Sequence, residues 1–299
     1  MLASRRALGA VVAAVLLALA GVARASPAAD VDAYRGLGTW VDIYDVRLWA
    51  DPEGTVAAIA SRGVRTLYLE TANYRQTVDL VRPVRLARFL DAAHAAGLRV
   101  VAWYLPSFRN VARDLRRSLA AIAFRTPAGQ AFDSFALDIE ASVVKSPALR
   151  TRRTLELSRE LRAAVGRSYP LGAIIPSPRG MELSPAYWPG FPYAELAGVY
   201  DVILPMSYFT YRVEGGLAVR RYMERSIEII REETGDPQVP IHVIGGLGDG
   251  TSRAEARGFM RAVAGCAPLG YSIYDFSTTA QATWAALTAL PPPPASPAC

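Results

Sequence analysis

Apolar and polar positions along this chain settle into a rhythm. A short apolar run gives way to a loop and then to a stretch with helical period, and the cycle repeats eight times. The apolar runs predict strands over 40–45, 64–70, 98–105, 132–140, 171–177, 201–208, 240–245 and 270–276. Helices are predicted to follow. The first opens at Asp51-Pro52-Glu53, with Asp51 as N-cap and Pro52 at the first helical position, and ends at Gly63. Others span 84–96, 110–124, 147–165, 219–233, 253–264 and 280–290. Eight strand–helix units over about 250 residues predict an α/β protein, a single-domain (β/α)8 TIM barrel. An open doubly wound sheet is the rival, disfavoured because no Gly-rich phosphate turn follows the first strand.

The fourth strand, Phe132 to Glu140, carries the most chemistry. Successive strand side chains alternate faces, so Phe135, Leu137 and Ile139 share one face and Ala136, Asp138 and Glu140 the other. The two acids stand at the C-terminal end of the strand, about 7 Å apart. At that distance each disfavours the other's charge, which suits one of them to general-acid work. Two acids meeting solvent or arginines at a strand end is the plain structural alternative.

A barrel does its chemistry at the C-terminal ends of its strands. Those ends offer Asp42, Tyr44 and Asp45; Tyr68, Glu70, Asn73 and Tyr74; Trp103, Tyr104 and Ser107; Asp138 and Glu140; Ser177 and Arg179; Met206, Ser207 and Tyr208; then Tyr274 and Asp275. The seventh offers a glycine-rich turn, Gly245-Gly246-Leu247-Gly248, open either to a phosphate or to close approach of a large ligand. Histidine is scarce. His94 lies on a helix and His242 at the start of a strand, away from the site end, so zinc and serine hydrolase chemistry is disfavoured. No cofactor is expected, although acids could hold a divalent ion through oxygen.

Acids with aromatics point to a carbohydrate partner. Candidate catalytic residues are Glu140, Asp138, Glu70 and Asp42. Candidate substrate-binding residues are Tyr208, Tyr274, Tyr44, Tyr104, Trp103, Asp275 and Trp188. Trp188 belongs to a long segment after the fifth strand with Tyr187, Phe191 and Tyr193, whose rings serve either a binding loop or the core. Glu140 is the natural acid; Glu70, Asp42 or Asp275 could supply a second carboxylate across the bond.

Composition sharpens the setting. Residues 1–25 read as a signal peptide: Arg5 and Arg6, an apolar run from Ala7 to Ala20, and Ala23-Arg24-Ala25 before Ser26. Ser4-Arg5-Arg6 also fits the twin-arginine route. A polar lead over 26–38, the barrel over 39–290 and a proline-rich tail over 291–299 complete the layout. The expected location is secreted, periplasmic or at the cell envelope, with no integral membrane segment after signal removal. Net charge is +6, and losing the signal with its three arginines leaves about +3. Lys145 is the only lysine, and the arginines are spread along helices, so nucleic acid is not an expected partner. Cys266 and Cys299 are an even pair, open to a disulfide in an exported protein. Oligomeric state is left open.

Asp133-Ser134-Phe135-Ala136-Leu137-Asp138-Ile139-Glu140 resembles the fourth-strand D-x-x-D-x-D-x-E signature of family 18 glycoside hydrolases, the chitinase-like barrels. Met206-Ser207-Tyr208 is similar to that family's sixth-strand M-x-Y motif, and Tyr274 occupies a place similar to its site-floor tryptophan. The resemblance implies Glu140 as proton donor, with Asp138 and Tyr208 holding a substrate N-acetyl group. Ala136 stands where the family has an inner Asp, and Phe209 where it often has an Asp after the Tyr. The Leu-Asp-x-Glu strand also resembles family 25 lysozyme-type barrels, which carry an acid on strand one; Asp42 could fill that place. A carbohydrate-binding barrel without turnover is the second functional reading, and a divalent-metal hydrolase or lyase the third.

Overall fold

The alternation of apolar runs and helical stretches builds a closed ring. The computed structural model describes residues 29–289 and Cys299. The expected signal peptide and the tail up to residue 298 lie outside the described residues. Eight parallel strands follow one another around the barrel: β1 Gly36–Val41, β2 Thr66–Asn73, β3 Arg99–Leu105, β4 Ser134–Asp138, β5 Leu171–Pro176, β6 Val202–Met206, β7 His242–Leu247 and β8 Gly270–Tyr274. β8 closes on β1 through Gly36, Leu37 and Gly38, paired with Gly270, Tyr271 and Ser272.

The helices are α1 Val46–Ala50, α2 Pro52–Ala60, α3 Pro83–Ala95, α4 Val111–Ala123, α5 Pro147–Val165, α6 Pro178–Leu183, α7 Tyr193–Ala197, α8 Gly216–Thr234, α9 Arg253–Cys266 and α10 Gln281–Leu287. Their starts are written in the sequence. The side chain of Asp51 accepts from Gly54 N, that of Asn110 from Arg113 N and that of Ser146 from Leu149 N, each satisfying a free first-turn donor. None of the described helices is long and apolar enough to cross a membrane.

Two apolar layers follow from strand alternation. Outward side chains such as Phe135, Leu137 and Ile139 pack under the helices. Inward ones, among them Trp40, Tyr68, Trp103, Ala136, Ile174, Leu204 and Met206, fill the barrel. The N-terminal approach closes the barrel floor. A 3-10 turn over Asp32–Tyr34 sends the Tyr34 ring inward, where its hydroxyl meets Ser134 Oγ at 2.6 Å and donates to the Phe135 carbonyl at 3.2 Å. Two glycines make room for this floor. A Cβ on Gly38 would lie 2.6 Å from the Tyr68 ring, and one on Gly172 2.7 Å from the Tyr34 hydroxyl. β1 therefore begins inside the stretch read as a polar lead. Gly36 and Gly38 broke the apolar pattern for different reasons: Gly36 takes the left-handed φ of 72°, and Gly38 is crowded by the Tyr68 ring.

The prolines and glycines of 178–197 hold the short α6 and α7, where the sequence reading has a long loop. Cys266 and Cys299 form a disulfide, with 4.9 Å between their Cα atoms. It lies at the C-terminal end of α9, where the chain turns back to the start of a strand, and thus on the floor side of the barrel.

Candidate active site

The mouth of the barrel, at the C-terminal strand ends, holds a cleft of two lobes. One, about 320 Å³, is lined by Asp42, Glu70, Trp103, Asp138, Glu140, Tyr208 and Tyr274, among others. The second, about 330 Å³, is lined by Glu140, Ser177, Tyr187, Met206, Tyr208 and Arg212, among others. Glu140, Met206 and Tyr208 belong to both, so the Glu140 carboxyl stands where the lobes join.

β4 sets this position. Asp138 is its last residue and pairs with Ile174 on β5, and the Ile139 N–H still donates to the Ile174 carbonyl at 2.7 Å. Glu140 follows as the chain turns away and is half-buried. Burial pushes its carboxyl above the usual range. Asp138 is pushed up further, first by burial and then by the charges of Glu140 and Glu70. Its Oδ1 is buried without a hydrogen-bond partner among the described residues, as is Trp103 Nε1 in the same lobe. An unsatisfied acceptor and an unsatisfied donor therefore line one lobe, the condition in which a ligand's polar groups are held most firmly.

Glu70, on β2, is 2% exposed. Its Oε2 accepts from Ile43 N at 2.9 Å and its Oε1 from Asn73 Nδ2 at 3.1 Å, yet burial dominates and pushes the carboxyl up to about 8. It is protonated at neutral pH, which does not suit it to be a base or nucleophile. Asp42 follows β1 and is held at both oxygens: Oδ2 accepts from the Tyr274 hydroxyl at 2.7 Å, and Oδ1 from Tyr44 N at 2.6 Å and Asp45 N at 3.2 Å. Tyr274 is thereby fixed against Asp42, and Tyr44 stands at the rim, its hydroxyl accepting from Asn73 Nδ2 at 2.9 Å.

Three expected site residues are placed elsewhere. Tyr104 alternates outward on β3 and donates to Asp114 Oδ1 at 2.7 Å under α4. Trp188 is 2% exposed in the helix layer, where its Nε1 donates to Thr151 Oγ1. Asp275 is buried in the turn after β8, its Oδ1 taken by Ser277 Oγ and by the Thr278 N–H and Oγ. Of the four aromatics in the segment after β5, Tyr187 reaches the cleft, while Trp188, Phe191 and Tyr193 are buried in the core. The Tyr187 hydroxyl donates to the Glu140 carbonyl at 3.1 Å. Behind it lies Arg150 of α5, 2% exposed. Its guanidinium sits 3.9 Å from the Trp188 ring centre and 5.5 Å from that of Tyr187, and donates to the Tyr187 carbonyl at 2.6 Å. Sequence spacing held no signal for that stack.

The glycine-rich turn serves packing. A Cβ on Gly246 would fall 2.7 Å from the Phe209 ring, and one on Gly248 2.5 Å from Thr279 Oγ1. Phe209 itself is fully buried against Phe259, pointing away from the cleft. Asp42, Asp45 and Asp275 offer carboxylate oxygens within 4.8 Å of one another, the one such acidic group among the described residues. Internal donors already occupy them: those named for Asp42 and Asp275, and Asp42 N on Asp45 Oδ2 at 3.3 Å. Burial pushes Asp45 up to about 6, which further weakens it as an ion ligand. His242 is buried in the floor and burial lowers it to about 4, so it is neutral there.

No family model matches the chain, and no curated protein matches it by sequence. Solved structures do match by fold. The spore cortex-lytic enzyme SleL of Bacillus cereus superposes with a TM-score of 0.64 at 10% identity, over 85% of this chain and 73% of that one. An endo-β-1,4-mannanase from Thermotoga petrophila gives 0.61 at 12% identity, over 81% and 68%. A family 18 N-acetylglucosaminidase from Paenibacillus barengoltzii gives 0.58 at 13% identity, over 85% and 98%. The chain shares the (β/α)8 barrel fold of these enzymes.

Proposed function

We propose that this chain is an exported glycoside hydrolase in which Glu140 protonates the leaving oxygen. One observation carries the reading: a half-buried carboxyl, held above its ordinary range, at the junction of two lobes on the C-terminal side of a (β/α)8 barrel. A glycan laid across the junction would have its scissile bond beside Glu140 and sugars on both sides. The glycoside hydrolases among its fold relatives support the substrate class.

The second half of the reaction falls to the substrate. Asp138 Oδ1 lacks a partner and lines the lobe, so a 2-acetamido N–H is a fitting donor to it, with Tyr208 closing the same space. Asp138 and Glu140 titrate as a pair. In the empty cleft Asp138 holds the shared proton more firmly; a 2-acetamido N–H donated to its Oδ1 favours the charged form, so in the complex the proton passes to Glu140, which gives it to the glycosidic oxygen. The acetamido oxygen then attacks C1 as the C1–O bond breaks, and water completes hydrolysis with Glu140 as base. Asp42 is the less fitting nucleophile, because Tyr274, Tyr44 and Asp45 already hold its oxygens. Ala136 favours a second reading, a barrel that binds glycan without turnover, since no acid lies beneath Asp138 to share its proton.

The test is a panel of oligosaccharides and peptidoglycan, with and without 2-acetamido groups, run on the full chain and on Glu140→Gln. Loss of a general acid is expected to lower kcat by 10²–10⁴-fold while binding persists. Undiminished turnover in Glu140→Gln would remove the assignment. Binding without turnover in the unaltered chain would establish the second reading.

A further inference from the structure

Two arginines stand at the mouth of the cleft. Each lobe has one arginine on its wall: Arg75, just after β2, in the lobe with Asp138, and Arg212, in the loop after β6, in the lobe with Tyr187. Both are exposed. Neither comes within ion-pair distance of a carboxylate among the described residues. Arg75 is also held in place. Its guanidinium sits 5.4 Å from the Tyr74 ring centre and its Nε donates to the Tyr74 hydroxyl at 3.2 Å. Asp42, Glu70, Asp138 and Glu140 share these lobes; burial holds Glu70, Asp138 and Glu140 above the ordinary carboxylate range, which weakens their opposition to the guanidiniums.

The exposed aromatics gather at the same mouth. Tyr44 is 57% exposed in one lobe and Tyr187 41% exposed in the other; Tyr211, 84% exposed, stands next to Arg212. Flat rings along an open groove suit the apolar faces of consecutive sugars. Planar guanidinium forks suit carboxylates better than hydroxyls, because they offer two parallel donors and a full charge.

We infer that the cleft takes a glycan chain that extends past Glu140 in both directions and bears carboxylate groups on the units flanking the scissile bond, with Arg75 reading one side and Arg212 the other. This rests on the glycosidase reading for the position of the bond, but not for the binding of the chain. The carboxylate could come from uronic acid units or from the lactyl ethers of a cell-wall glycan, and the two are separable by probe.

Binding is measured with Glu140→Gln, so that turnover does not consume the ligand. The probes are polygalacturonate, peptidoglycan strands freed of their peptides, and neutral mannan and N-acetylglucosamine oligomers of matched length. At least one acidic polymer is expected to bind ten or more times tighter than the neutral chains. Adding Arg75→Gln and Arg212→Gln is expected to abolish that preference while leaving the weaker neutral binding in place. High salt is expected to do the same, since exposed charges are screened. Which acidic polymer binds identifies the carboxylate source. Equal affinity for neutral and acidic chains, a preference that survives both arginine substitutions, or no binding to either acidic polymer would overturn the inference. Acid-selective binding without cleavage by the unaltered chain would sustain it while removing the glycosidase reading. Cleavage of neutral chains with unselective binding would do the reverse.

Discussion

Glu70 spends its time out of water beside two other acids, and that has a measurable cost. Its carboxyl is pushed up to about 8 in the folded chain, from about 4.5 when exposed. Between those values the folded state keeps a proton that the unfolded state has lost. Stability from this group is therefore complete below the lower value and declines as pH rises toward the upper one, by about 1.4 kcal/mol per pH unit. Glu70→Gln, which cannot ionise, is expected to become more stable relative to the unaltered chain at each step from pH 5 to pH 7. Denaturant melts at those pH values check this; parallel stability curves for the two chains would show that Glu70 is ionised when folded. That carboxyl was legible as an inward acid at a strand end, but its role was not, because protonation depends on what covers it. The same limit applied to the rings: alternation along β3 separates Trp103 from Tyr104, while nothing in the run Tyr187-Trp188 tells which ring meets solvent.

At the scale of elements, β7 meets the loop after β6 through a glycine. Phe209 and Thr210 fill the space beside Gly246, at distances that no Cβ tolerates. Gly246→Ala is expected to cost about 1–3 kcal/mol through overpacking. Trimming the ring with Phe209→Leu is expected to recover part of it, a coupling that a double-mutant cycle reads directly. Additive losses would mean the contact is absent. The elements themselves were largely legible. Seven of the eight strands fall on their predicted apolar runs, β1 lies four residues earlier than its run over 40–45, and α5 spans Pro147–Val165 as predicted. The misses lie at glycines. Gly36 is set by its left-handed φ, while Gly38 and the glycines of β7 are placed by what packs against them, and a local pattern reads such residues as turns.

For the whole molecule, closure of the barrel follows from counting eight units, but the floor does not. Tyr34, from a segment that reads as a polar lead, is buried beneath the strands and bonded across to β4. The disulfide fastens the chain on this same floor side, far from the cleft. It joins residues 33 apart, for which loop entropy predicts about 2–4 kcal/mol of stabilisation. Replacing both cysteines with serine is expected to lower Tm by several degrees while leaving kcat and KM at low temperature unchanged. A change in kinetics without a change in Tm would contradict that division between floor and mouth.

The Arg150 stack has a consequence for anyone who would re-engineer this barrel. Loops above a (β/α)8 scaffold are commonly treated as exchangeable parts. Here the segment bearing Tyr187 and Trp188 is clamped to a cation rooted in a helix almost forty residues earlier, and the far end of that clamp grips the backbone of Glu140. Transplanting the segment without its arginine would leave two rings uncapped and the acid's carbonyl unheld. The transferable module is the helix together with the loop, cut as one piece.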